Sequence, residues 1–250
     1  MTRSSGASSP EGVIVPLSLQ SRRVGEITVV TCTGRIVEGD ECARLHQHLE
    51  GLLPLYPYII LNLEGVPFID SSGLGLLVRF LNRTRTVNGS LKLCAVPDRM
   101  AEVLRVTKLS TLFDSHHTEA EAISAFYQPA RSTTESSRFD TDILCVEKST
   151  DVLAYIRELL RQAGYGVMTA GNLPDALILL QATQPKVVVV GADLHAAHDT
   201  RTAHTFNRLA DQLSVIELPA GFSSADAGEA GRDLLDQVRA IMSAGRAPRS

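Results

Sequence analysis

Tryptophan is absent from the 250 residues and aromatic residues make up only 5% of them, yet 44% are hydrophobic and 21% charged. That balance is globular and excludes wholesale disorder. No window approaches the roughly 18–20 uninterrupted apolar residues that a membrane span requires. The longest apolar patches, such as Val187–Val190, are strand-sized, so a soluble chain with no membrane contact is expected. The opening residues MTRSSGASSPEG lack the apolar segment of a secretory signal, which predicts a loose tail over 1–12 and a cytoplasmic location. The four cysteines, Cys32, Cys42, Cys94 and Cys145, form no C-x-x-C pair and have no regular spacing. Neither a zinc cage nor a disulfide framework is suggested, and reduced thiols are expected. No G-x-x-x-x-G-K-[ST] or G-x-G-x-x-G phosphate loop occurs. Net charge is −4, divided as −1 over residues 1–128 (12 basic, 13 acidic) and −3 over 129–250 (12 basic, 15 acidic). Neither half carries the basic footprint of a nucleic-acid binder.

The length suits two small domains or one large one rather than a single small core. Ala130–Asp140, ARSTTESSRFD, contains five Ser or Thr and follows an apolar stretch ending at Phe126-Tyr127, which marks a linker over 129–140. On both sides short apolar runs alternate with helix-period segments, the pattern of α/β architecture. In the first half, strands are expected at Pro16–Gln20, Glu26–Cys32, Tyr58–Leu63 and Ser90–Val96, and helices at Asp40–Leu53, Leu74–Val87, Asp98–Val106 and Glu119–Phe126. In the second, strands are expected at Asp142–Val146, Gly166–Ala170, Val187–Val190 and Ser214–Leu218. Helices are expected over 152–163, Leu173–Gln181, Ala203–Leu213 and Gly228–Met242.

The most informative stretch is Ile59–Val78, IILNLEGVPFIDSSGLGLLV. An apolar strand ends, a short loop passes Pro67, and Asp70-Ser71-Ser72-Gly73 opens an apolar-faced helix. Ser71 is thereby placed at the helix N-terminus, where unpaired N–H groups and the helix dipole favour a cap or a phosphate. Gly73 and Gly75 are expected to keep the surface low for an approaching protein. The helix stripe 74, 77, 78 and 81 faces the core, and the opposite face carries Leu76, Arg79, Phe80 and Arg83, which suits a protein interface or packing under a loop or on the second domain.

The block V-x-F-I-D-S-S-G-L-G-L-L with its strand and helix resembles the signature of the STAS domains of bacterial anti-sigma factor antagonists, over about residues 13–128. The resemblance implies a STAS-type sheet with helices, no enzymatic activity, no cofactor, and phosphorylation of Ser71 by an anti-sigma factor that is itself a serine kinase of the GHKL ATPase type. Asp70, Ser72, Gly73, Leu74, Gly75, Leu76, Arg79, Phe80 and Arg83 would then form the partner surface. The chain departs from the family's G-E-[LIV]-D element at Gly34-Arg35-Ile36-Val37, which lacks both acids. Copies of the same chain or other STAS proteins are the alternative partners, in a scaffold for a larger stress-signalling assembly.

Residues 141–245, before a short tail at 246–250, resemble in order and spacing the receiver domain of response regulators, a flavodoxin-like α/β fold, here truncated. Receivers hold Mg²⁺ with an acidic pair after the first strand and accept phosphate on an Asp ending the third. A Ser or Thr ends the fourth strand and a Lys the fifth. Here the pair is Glu147-Lys148, the acceptor position is Gly191, Pro219 stands near the hydroxyl position, and no Lys follows Lys186. Asp193 is the one substitute acceptor. A pseudo-receiver that makes contacts without catalysis is expected. His195, His198 and His204, like His46, His48 and the His116-His117 pair, fit no compact metal-ligand spacing and are expected in solvated segments.

Overall fold

The computed structural model describes residues 16–127, 142–195, 201–210, 213–222 and 227–244. The expected tails at 1–12 and 246–250 and the linker at 129–140 lie outside the described residues.

The first unit runs β1 (Ser18–Val24), β2 (Ile27–Thr33), α1 (Asp40–Leu52), β3 (Tyr58–Gly65), α2 (Ser71–Thr86), β4 (Ser90–Cys94), α3 (Asp98–Val106), β5 (Asp114–His116) and α4 (Glu119–Tyr127). Its sheet has the order β1-β2-β3-β4-β5, with β1 antiparallel to β2 and the remaining pairs parallel. Strand side chains alternate between faces, so a strand buried on both sides must be apolar at odd and even positions alike. Ile59, Leu61 and Leu63 of β3 join Leu45 and Leu49 of α1, Leu77 of α2 and Leu104 of α3 in one core. Ile60, from the same strand, instead packs with Ile123 and Phe126 of α4 on the other face.

The second unit runs β6 (Ile143–Val146), α5 (Thr150–Gln162), β7 (Val167–Ala170), α6 (Leu173–Thr183), β8 (Val187–Val190), α7 (Ala192–His195), α8 (Arg201–Ala210), β9 (Ser214–Glu217) and α9 (Ala227–Ala244). Its parallel sheet has the order β7-β6-β8-β9, with the all-valine β8 between two neighbours, as a continuous apolar run requires. The Ser149 hydroxyl accepts from Val152 N at 3.4 Å to open α5, and Gly164, at φ +87°, ends it. No described helix is long and apolar enough to cross a membrane.

Several elements differ from expectation. Helix α2 starts at Ser71 rather than Leu74 because Asp70 caps it. Strand β5 was not expected, and His116 lies in it rather than in a loop. Its three residues have no apolar alternation; the strand forms by pairing with β4 at Lys92↔Asp114 and Cys94↔His116 and through the Lys92–Asp114 ion pair.

The two units share a core. Val24, Ile27 and Ile60 of the first sheet, Ile123 and Phe126 of α4, and Leu179, Leu144 and Val188 of the second unit belong to one buried cluster. At its edge Gly25 N donates to Thr169 O at 2.8 Å. Arg22 pairs with Asp175 of α6 at 2.5 Å and with Glu119 of α4. Arg161 of α5 reaches Glu26 at 2.7 Å.

Burial pushes the Cys32, Cys94 and Cys145 thiols up to about 12. Half-buried Cys42 is also raised, first by burial and then by the charge of Asp70. Since the thiolate is the reactive form, a disulfide reagent at neutral pH is expected to titrate only Cys42 in the native chain. The other three should react on unfolding in denaturant, and rapid native labelling of Cys32 or Cys145 would contradict this core.

Candidate functional site

Two loops build the site around Ser71. The loop after β2 and the loop before α2 are tied by Ile36 N donating to Phe68 O (3.0 Å), by Asp70 N donating to Ile36 O (3.1 Å), and by a parallel bridge between Ile36 and Ile69. Asp70 has extended backbone angles and is the N-cap of α2. Its Oδ1 accepts from Gly73 N at 2.8 Å and its Oδ2 from Glu38 N at 2.8 Å, so one carboxylate pins both loops. These backbone donors, Gly73 first and then Glu38, hold its carboxyl below the usual range. With the side chain of Asp70 committed to the cap, Ser71 stands exposed as the first residue of the helix and Ser72 is half-buried.

The lowered pKa of Asp70 has a pH consequence. A folded value below the ordinary 3.8 means that its stabilisation is complete above that range and fades as pH falls through the folded value. Asp70→Ala is expected to cost about 1 kcal/mol near neutrality, with the deficit shrinking as pH falls below the ordinary carboxylate range. Urea unfolding of both chains across that interval measures it, and a deficit independent of pH would assign the loss to something other than the ionised cap.

The rest of the α2 surface needs correction. Gly73, Leu74, Leu76 and Phe80 are buried, so none of them is presented to a partner; Leu76 and Phe80 are only 3% and 2% exposed. The reason is that α2 packs on α1 as well as on the sheet, so its buried arc is wider than one stripe and includes Leu76 and Phe80 beside Leu45 and Leu49. Gly73 serves packing rather than approach: a Cβ there would lie 2.7 Å from Ile69 Cγ1 and 2.8 Å from Ile36 O. What remains exposed along the helix is Ser71, Arg79, Asn82, Arg83, Arg85 and Thr86, with Ser72, Gly75 and Val78 half-buried. Arg83 lies 3.7 Å from Glu50.

Two residues beside Ser71 were not singled out as partner contacts from sequence. Phe68 is 49% exposed, and the Arg35 guanidinium sits 5.0 Å from its ring centroid. Arg35 occupies the place where the resembling family carries an acid, which was the available signal; the exposure of Phe68 had none.

In the second unit Glu147, Gly191 and Pro219 follow the C-terminal ends of β6, β8 and β9, the side of a parallel sheet where crevices form. Glu147, Asp193 and Pro219 line one cavity of about 390 Å³ there, while Lys148 is exposed and outside it. A Cβ on Gly191 would lie 1.7 Å from Glu147 Oε2. The Glu147 carboxylate therefore occupies the space that a side chain at 191 would take, and its Oε1 accepts from Ser149 N at 2.9 Å. Among the described residues no group of three His, Cys, Asp or Glu is placed to hold a metal ion. His48 is hydrogen-bonded to Ser21, His204 is exposed, and His198 lies outside the described residues.

Residues 18–122 match the STAS domain. Among solved structures, the anti-sigma factor antagonist SpoIIAA in its unphosphorylated form is 22% identical, with 43% of this chain and 95% of that one covered at a TM-score of 0.39. An anti-sigma-factor antagonist (STAS) domain protein from Planctomyces limnophilus is 28% identical, over 43% of this chain and 96% of that one, at a TM-score of 0.39. A 46-residue stretch is 46% identical to Protein Rrf1 of Nitratidesulfovibrio vulgaris, covering 18% of this chain and 33% of that protein. The chain thus spans about a third of the length of that relative.

Proposed function

We propose that the first unit is a phosphorylation-switched binding module, an anti-sigma factor antagonist. With Ser71 unmodified it binds an anti-sigma factor that is a serine kinase of the GHKL ATPase type, so that a sigma factor is released; with Ser71 phosphorylated it lets go. The observation that carries this reading is the exposure of Ser71 on the first turn of α2, directly after an aspartate whose carboxylate is engaged by Gly73 N in the cap and by Glu38 N of the neighbouring loop. The STAS match over residues 18–122 supports it. Arg35 and Phe68 in the flanking loops and Arg79 and Arg83 along α2 supply charge and an aromatic anchor, residue types that dominate interface energetics. The reduced, scattered cysteines suit a cytoplasmic setting.

The second unit is read as a truncated, flavodoxin-like pseudo-receiver that contacts rather than catalyses. Within this unit the strands are ordered second, first, third, fourth, which supports that fold, and the Glu147 carboxylate fills the space at Gly191 where an acceptor would project. A scaffold subunit, assembling with itself or other STAS proteins, is the second reading, favoured by the core shared between the two units.

The test is capture of partners on full-length Ser71→Ala bait, followed by incubation of wild-type chain with the captured kinase and ATP and mapping of the phosphopeptide. Phosphate on Ser71 supports the switch. Phosphate elsewhere, or a stable high-mass assembly of the chain in size exclusion with no kinase captured, transfers support to the scaffold.

A further inference from the structure

Between the two units lies a cavity of about 390 Å³ that the proposed switch does not use. Arg23 and Thr28, register partners across β1 and β2, emerge side by side into it, and Leu153, Ala154 and Arg157 of α5 face them from the second unit. Tyr56 contributes an aromatic wall.

The polar groups here are incompletely matched. Thr28 is 1% exposed, and its hydroxyl has no hydrogen-bond partner. A buried hydroxyl left unpaired is costly, and such groups in native proteins call for an explanation. The Nε of Arg23 is likewise buried without an acceptor, although its guanidinium lies 4.5 Å from the Tyr56 ring centroid and donates to Gly25 O at 3.2 Å. Arg157 approaches Glu26 only at 3.9 Å, while Arg161 holds the same carboxylate at 2.7 Å. Arg22, also in the lining, is occupied by Asp175 and Glu119. Burial pushes the Arg157 guanidinium below its ordinary value, Glu26 opposes this, and Arg161 and Arg23 add to it. Among the described residues no Asp or Glu lines the cavity.

We infer that this cavity is a binding site for a small anion bearing an apolar ring, held by Arg23, Arg157 and the Thr28 hydroxyl and stacked against Tyr56. The volume falls in the roughly 300–1,000 Å³ range of small-molecule sites. Arg23, and Arg157 whose neighbour Glu26 is already held by Arg161, select the charge, and the Tyr56, Leu153 and Ala154 walls select the ring. Because the walls come from both units, a bound ligand favours their docked arrangement and raises the stability of the whole chain. This site is independent of Ser71 and stands or falls separately from the switch.

The probe is anilinonaphthalene sulfonate, with uncharged phenylnaphthylamine as its ring-only counterpart, both measured by equilibrium dialysis on the full chain. Saturable one-to-one binding of the sulfonate is expected, about tenfold tighter than the uncharged ring. Thr28→Val and Arg157→Gln should each weaken it about tenfold. Thr28→Val removes an unpartnered buried hydroxyl, so the ligand-free melting temperature should hold or rise while affinity falls, which separates a lost contact from a damaged fold. Benzoate and adenosine monophosphate as competitors distinguish a carboxylate from a phosphate as the preferred anion. Absence of saturable binding up to about 1 mM, or equal binding by wild type and both variants, overturns the inference.

Discussion

Ser71→Glu is expected to bind the proposed anti-sigma partner about a hundredfold more weakly than Ser71→Ala, a difference of about 2.8 kcal/mol. The size follows from where the charge falls. Ser71 occupies the first position of α2, exposed and next to Asp70. The Gly73 and Glu38 N–H groups keep Asp70 ionised well below neutrality. In the free chain a second negative group is tolerated, because water solvates it and the unpaired N–H groups of the first turn favour an anion. In a complex the same group must be desolvated beside Asp70, and a phosphate, with about −1.5 to −2 charges, is disfavoured more than a glutamate. Calorimetric titration of the captured partner with each variant measures the gap, and equal affinities would end the switch reading. Arg35, Arg79 and Arg83 sharpen the expectation. If they meet acidic groups on the partner, affinity of the unmodified chain should fall with salt, since exposed charge pairs are screened.

The site was legible in sequence as far as one segment could specify it. Asp70 before an apolar-periodic helix is a local signal, since a cap bonds to an N–H within three residues, and the structure places it there. The breadth of the buried arc on α2 was not local. A helical wheel shows which residues share a stripe, but α1 lies against α2 and draws Leu76 and Phe80 inside. Strand β5 escaped for the opposite reason, because its Asp114, Ser115 and His116 carry no apolar period and are recruited by β4. The packing between the units was equally hidden. Glu119–Phe126 is expected only as a helix, and nothing in the spacing of Ile123 and Phe126 distinguishes a helix covering one sheet from a helix also packed against a second unit.

Gly73, beneath the candidate site, is where a single added methyl group is expected to have a large structural effect. Gly73→Ala would set a Cβ 2.7 Å from Ile69 Cγ1, 2.8 Å from Ile36 Cγ2 and 2.8 Å from Ile36 O. The isoleucine side chains can rotate. The carbonyl cannot withdraw freely, because it accepts from Asp70 N, and Ile36 N is bonded to Phe68 O. Relief therefore requires opening the joint that seats the cap, and a loss of about 3 kcal/mol is expected, at the upper end for overpacking. Gly75→Ala is the matched control, since the nearest atom to its added Cβ is Arg79 Nη1 at 3.5 Å. There the higher helix propensity of alanine should stabilise by up to about 1 kcal/mol. Urea denaturation of the two variants should thus move in opposite directions, and a shared direction would show that packing beneath Ile36 does not decide the glycine at 73. Partner affinity supplies the complementary reading: Gly75 lies half-buried near Ser71 and Arg79, so a partner closing tightly on α2 should bind Gly75→Ala more weakly even though that chain is the more stable one.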